Sequence, residues 1–233
     1  MVTGTEPERA GGGAHLVRML QLASPSLPVG GFSYSQGLEQ AVELGWVDDP
    51  QSFEAWLSDL IHENLSHLEI PVLVRLIDAA NDRRAVEFGY WTNFLYASRE
   101  TRELREEEIG RGRAMRQVLA ALCIEIEPDF ERAIGRSQLA GLAWAASHWR
   151  LPADQLAVAY AFSWLENQVT AGIKLIPLGQ SAGQRLMATL GATLPGRVSA
   201  GLAVSDPNVG ASSPALAIAS SLHETQYSRL FRS

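Results

Sequence analysis

The stretch LPADQLAVAYAFSWLENQVTAGI, residues 151–173, decides the fold class. Pro152 is tolerated in a first helical turn, and Asp154 places a negative charge where the helix dipole favours it. From Leu156 onward, Val158, Tyr160, Phe162, Trp164, Leu165 and Val169 fall on nearly every side of a helix. A helix without a clear polar face is a buried central one. Other elements must therefore pack around it.

Prolines cut the remainder into helix-sized pieces, because proline opens helices and breaks their interiors. Asp48-Asp49-Pro50 reads as a cap. Beyond it Phe53, Trp56, Leu57, Leu60, Ile61 and Leu65 recur at three- and four-residue steps, one apolar helical face. Pro71 opens a similar piece with Val72, Leu73, Leu76, Ile77 and Ala80, and 83–97 is helical by the same test. Ser212-Ser213-Pro214 caps a last helix through Leu222. Strict apolar–polar alternation is scarce. The expectation is one all-α domain of roughly eight to eleven helices. It spans 14–223, between a flexible N-terminal tail, 1–13, and a C-terminal tail, 224–233.

Composition narrows the function. Of 233 residues 46% are apolar and 19% charged, which is ordinary for a folded domain. The formal charge of −7 disfavours nucleic acid and anionic lipid as partners. The lone cysteine, Cys123, excludes an internal disulfide framework. No signal core follows the N-terminus, and the run Leu156–Leu165 is about half the length of a membrane span. The cytoplasm is the expected compartment.

Several motifs invite a chemical reading. The only lysine, Lys174, sits between Ile173 and Leu175, so no phosphate-binding P-loop exists. His62 and His67 are five apart, about 140° around an α-helix, so a zinc-protease pair is not expected. No metal site is expected. Gly179-Gln180-Ser181-Ala182-Gly183 matches a nucleophile elbow, and Asp206 and His223 follow in hydrolase order. An esterase with Ser181 as nucleophile, His223 as base and Asp206 as orienter is the enzyme alternative. It needs a parallel sheet that the pattern does not supply. The plainer reading has Ser181 capping the helix that follows.

Two segments carry unusual polarity. Residues 22–39 hold two prolines and the pair Gly30-Gly31, with Ser33 or Ser35 placed to cap a helix. Ser33, Tyr34, Ser35 and Glu39 need hydrogen-bond partners if buried, as at an interface or in a polar cluster. From Arg99 to Arg116 six arginines alternate with five glutamates. Arg99/Glu103 and Arg102/Glu106 at four-residue spacing suggest a solvated helix with weak ion pairs, and Arg99 and Arg102 are candidates for an interface.

Three blocks resemble the urease accessory protein UreF family. They are ASPSLPVGGFSYSQGLE at 23–39 with Gly45-Trp46-Val47, RETRELR at 99–105, and IKLIPLGQSAGQRL at 173–186. The resemblance implies an all-helical, non-enzymatic homodimer. It implies partnership with the accessory protein UreD (also UreH) and the GTPase UreG in delivering nickel to apo-urease, with no tightly bound cofactor. The implied role is a bridge that modulates GTP hydrolysis. On that reading Lys174 and Arg185 are expected to face the GTPase, and Gln180 and Ser181 to belong to a partner-binding surface. Tyr227, Leu230 and Phe231, at helical spacing, are expected to dock UreD and to become ordered only on contact.

Overall fold

The computed structural model describes residues 8–233. Residues 1–7, half of the expected N-terminal tail, lie outside the described residues. The chain runs through α1 (Glu8–Ala23), α2 (Leu38–Glu43), α3 (Pro50–Leu60), α4 (Ile70–Asn81), α5 (Ala85–Ala97), α6 (Arg102–Ala121), α7 (Pro128–Ile134) and α8 (Gln138–Trp149). It continues through α9 (Ala153–Leu175), α10 (Gln180–Gly191), α11 (Leu194–Leu202) and α12 (Pro214–His223). Among the described residues there is no strand, so the architecture is all-α. No helix among them is long and apolar enough to cross a membrane.

α9 is the central strut. It touches α1, α2, α3, α4, α10 and α11, and buries Leu156, Tyr160, Trp164, Leu165, Gln168 and Val169. The burial is not complete on all sides, because Phe162 remains 44% exposed. α8 is enclosed between α4 and α6 and buried continuously from Gln138 to Ala146. Two glycines set helix spacing. A Cβ on Gly172 would meet the Phe53 ring at 2.3 Å, and one on Gly112 would meet the backbone nitrogen of Ser137 at 2.3 Å.

α3 and α4 are not separate helices. A π-helical stretch, Ile61–Glu69, joins them into one continuous rod. Pro71 explains this. Proline cannot donate a backbone hydrogen bond, and its ring collides with the carbonyl four residues back. A widened turn ahead of it relieves that crowding. The carbonyl of His67, which Pro71 cannot satisfy, accepts from the backbone N–H of Gly210 at 2.8 Å. The expectation that Pro71 starts a new helix is thus corrected. So is the 140° separation of His62 and His67. The wider π turn brings their ring centroids to 4.7 Å.

Candidate functional site

The most distinctive feature lies where the segment 33–39, α6, α9 and α12 meet beneath the C-terminal residues. Five glutamates there are buried: Glu39, Glu69, Glu103, Glu107 and Glu108. A buried carboxylate needs charge partners and hydrogen bonds. The structure supplies both.

Arg99 anchors one end. It follows α5 and precedes α6, whose cap is Thr101 accepting from Leu104 N at 3.2 Å. Arg99 therefore does not share a helical face with Glu103. Its Nη2 donates to Glu69 at 2.6 Å and to Glu108 at 2.8 Å. Ser137 Oγ donates to the other oxygen of Glu108 at 2.6 Å, and the Tyr160 hydroxyl to Glu69 at 2.7 Å. Burial opposes the charge of Arg99, but Glu69 and Glu108 outweigh it and hold the guanidinium well above its ordinary range. The expected solvated helix is thus only half correct. Arg102/Glu106 is an exposed pair at 3.8 Å, whereas Glu103, Glu107 and Glu108 face inward.

Tyr160 follows the same logic with the opposite proton. Burial first, then the Glu69 carboxylate, pushes its phenol well above the usual range. The folded chain thus holds this proton more tightly than the unfolded chain does. The stability it contributes is whole below the unfolded value of about 10 and is lost as pH rises through the folded value. Tyr160→Phe is expected to cost about 1–3 kcal/mol at neutral pH, by leaving one oxygen of buried Glu69 without its donor. It is also expected to flatten the alkaline decline, which urea midpoints across that pH range will show.

The other end is a clamp on the C-terminal segment. His223 is fully buried, with Nδ1 2.6 Å from Glu103 and Nε2 3.3 Å from Glu39. Glu39 also accepts from the backbone N–H of Leu230 at 2.6 Å and of Phe231 at 2.8 Å. Arg229 donates to Glu103 at 2.6 Å. The oxygen of Ser233 accepts three hydrogen bonds, from Ser35 N, Gln36 N and Ser35 Oγ, at 2.6, 3.0 and 2.7 Å. Arg232 N donates to Ser33 O at 2.8 Å. Gln36 and Gly37 adopt positive φ, 51° and 78°, which turns these donors toward one point. Gln36 links the two ends, donating to Glu107 and accepting from Trp164 at 2.8 Å in each case.

The expected tail is corrected here. Residues 229–233 already have partners within the chain, and no helix forms after His223. Tyr227, Leu230 and Phe231 therefore form no stripe. Tyr227 and Leu230 are exposed while Phe231 is buried. Helical spacing misled because the backbone bonds go to Glu39 and the segment 33–36 rather than along the segment itself.

The hydrolase residues are not brought together. Ser181 is exposed on α10, and Gly179, not Ser181, holds the cap position. Asp206 binds Arg75 at 2.6 Å, and both ring nitrogens of His223 face glutamates. His62 and His67, though adjacent, have their Nδ1 atoms occupied by Arg197 and by the His62 carbonyl. Among the described residues no group of three or more His, Cys, Asp or Glu side chains is placed to hold a metal ion. Lys174, Gln180 and Arg185 are all exposed, and the Lys174 ammonium lies 5.6 Å from the centre of the Phe231 ring. The sequence did hold a signal for the unforeseen members: Glu69 and Tyr160 are polar groups inside apolar runs.

A family model described as UreF matches residues 47–191. The urease accessory protein UreF of Pseudomonas putida (strain KT2440) is 51% identical over 218 residues, 94% of this chain and 97% of the relative. That of Alcanivorax borkumensis is 47% identical over 222 residues, covering 93% and 97%. That of Klebsiella pneumoniae subsp. pneumoniae is 44% identical over 217 residues, with the same coverage. With near-complete alignment to these relatives, and a helical fold built around the quoted blocks, the chain belongs to the UreF family of urease accessory proteins.

Proposed function

We propose that this chain is a urease maturation factor working as a homodimeric, non-enzymatic scaffold. It joins the accessory protein UreD/UreH to the GTPase UreG for GTP-dependent nickel insertion into apo-urease, and it modulates the GTPase. Nickel is cargo of the assembly, not a resident of this chain. The cytoplasm is the compartment this role requires.

One observation carries the reading. Lys174, on the segment proposed to face the GTPase, lies against buried Phe231, next in sequence to exposed Leu230 of the segment proposed to meet the accessory protein. The two proposed partner surfaces are therefore neighbours, as a bridge requires. The dimer is supported by an apolar face on α1, α9 and α11. There exposed Leu16, Leu20 and Leu202 line a groove of about 490 Å³ with Val158 and Val198.

Lys174→Ala tests the assignment. The variant is expected to stay folded, since Lys174 is exposed and its cation–π contact is worth about 0.5–1 kcal/mol. It is expected to weaken co-purification with the GTPase or to alter its GTP turnover. Unchanged pull-down together with unchanged turnover would remove Lys174 from the interface.

A further inference from the structure

A second surface stands apart from this machinery. Arg113 and Arg116 are exposed on the C-terminal half of α6, and Arg132 on α7. Arg136 follows α7 and sits over Tyr96, its guanidinium carbon 3.9 Å from the ring centre. Gly112 brings three of them, Arg116, Arg132 and Arg136, together. Its missing side chain lets α6 press onto the backbone of Arg136 and Ser137, and the Arg116 stem lies against Gly135. Among the described residues none of these arginines makes an ion pair, while Arg111 is paired with Glu107. The nearby Glu127 is taken by Arg83 at 2.8 Å. Asp129 and Glu131 remain as the only carboxylates on α7. Arg132 and Arg136 share the wall of a cavity of about 190 Å³ with Gly89, Asn93 and Asp129.

We propose that this α6–α7 face is a docking surface for an acidic protein segment, one rich in aspartate or glutamate. The argument is charge complementarity. A chain of net charge −7 presents a local cluster of three guanidinium groups without ion pairs, Arg116, Arg132 and Arg136, and such a cluster steers a complementary partner. Guanidinium forks match carboxylates in pairs, and stacking on Tyr96 holds Arg136 ready. Protein carboxylate is favoured over nucleic acid because the surrounding acidic field repels a long polyanion, while a short acidic segment meets the patch alone. The cavity walled by Arg132 and Arg136 shares no residue with the one that Phe231 lines, so failure of this proposal would leave the maturation reading standing.

The test uses the full chain and fluorescein-labelled decaglutamate, read by anisotropy at about 20 mM and about 200 mM salt. Binding is expected to be salt-sensitive. It is expected to weaken about tenfold or more in Arg116→Glu/Arg132→Glu and less in Arg116→Gln/Arg132→Gln. Arg18→Glu on α1 is expected to leave it unchanged. Circular dichroism confirms that each variant is folded. Equal affinity in wild type and the reversed variant overturns the proposal. So does tighter patch-dependent binding of a single-stranded oligonucleotide of matched charge. Salt-sensitive self-association lost with the patch would instead make a second copy the occupant, and overturns it as well.

Discussion

Arg99→Leu is expected to be the most damaging substitution of a charged residue in this protein. It leaves Glu69 and Glu108 buried without the guanidinium that neutralises both. Breaking a buried pair by removing one partner costs about 3–5 kcal/mol, because the survivor remains desolvated. Here one cation serves two carboxylates, so the upper part of that range applies. A domain of this size has a stability of about 5–15 kcal/mol, so the variant should unfold at much lower urea or fail to accumulate. Adding Glu69→Gln and Glu108→Gln to Arg99→Leu should restore much of the loss, since no charge is then left unpaired. A urea midpoint for Arg99→Leu within experimental error of wild type would show that the centre is not what holds α4, α6 and α8 in register.

His223→Leu is expected to act less strongly, and through a different outcome. The imidazole stands between Glu103 and Glu39, and the same carboxylates hold Arg229, Leu230 and Phe231. An apolar side chain there leaves both buried carboxylates without the imidazole as a hydrogen-bond partner, a loss of about 1–3 kcal/mol. Before global unfolding, the weakest attachment should open first, and that is the C-terminal segment. Amide exchange at Leu230 and Phe231 is expected to accelerate about a hundredfold, which at about 1.4 kcal/mol per tenfold matches the loss of their acceptor's support. His223→Gln, keeping a donor, should fall between. Exchange unchanged at those two amides would show that the segment is held by Ser35 and Gln36 alone.

Much of the fold is legible in the residues. The spacing of Phe53, Trp56, Leu57, Leu60, Ile61 and Leu65 marks a face that is buried at every one of those positions. The all-round apolarity of 156–173 marks the central strut, because periodicity reports which sides of a helix avoid water. The π turn is less legible. Pro71 announces a disturbance, but proline more often begins a helix than sits within a rod. What tipped the balance is Gly210, which arrives from far along the chain to satisfy the His67 carbonyl.

Around the polar spine the division is sharper. That Glu39, buried among apolar neighbours, needs hydrogen-bond partners is written in its surroundings. That those partners are the backbone of Leu230 and Phe231, some 190 positions away, is not. The run from Arg99 to Arg116 shows the same limit, since nothing local separates exposed Glu106 from buried Glu107 and Glu108. The amino-acid order by itself determined the helical class, the central strut, the family and the absence of a P-loop. Only the tertiary structure decided which charges are interior, how the C-terminal segment is held, and that Ser181, Asp206 and His223 never meet. The physical reason is that amphipathic period is a property of neighbours, whereas the partner of a buried charge depends on which distant element closes over it.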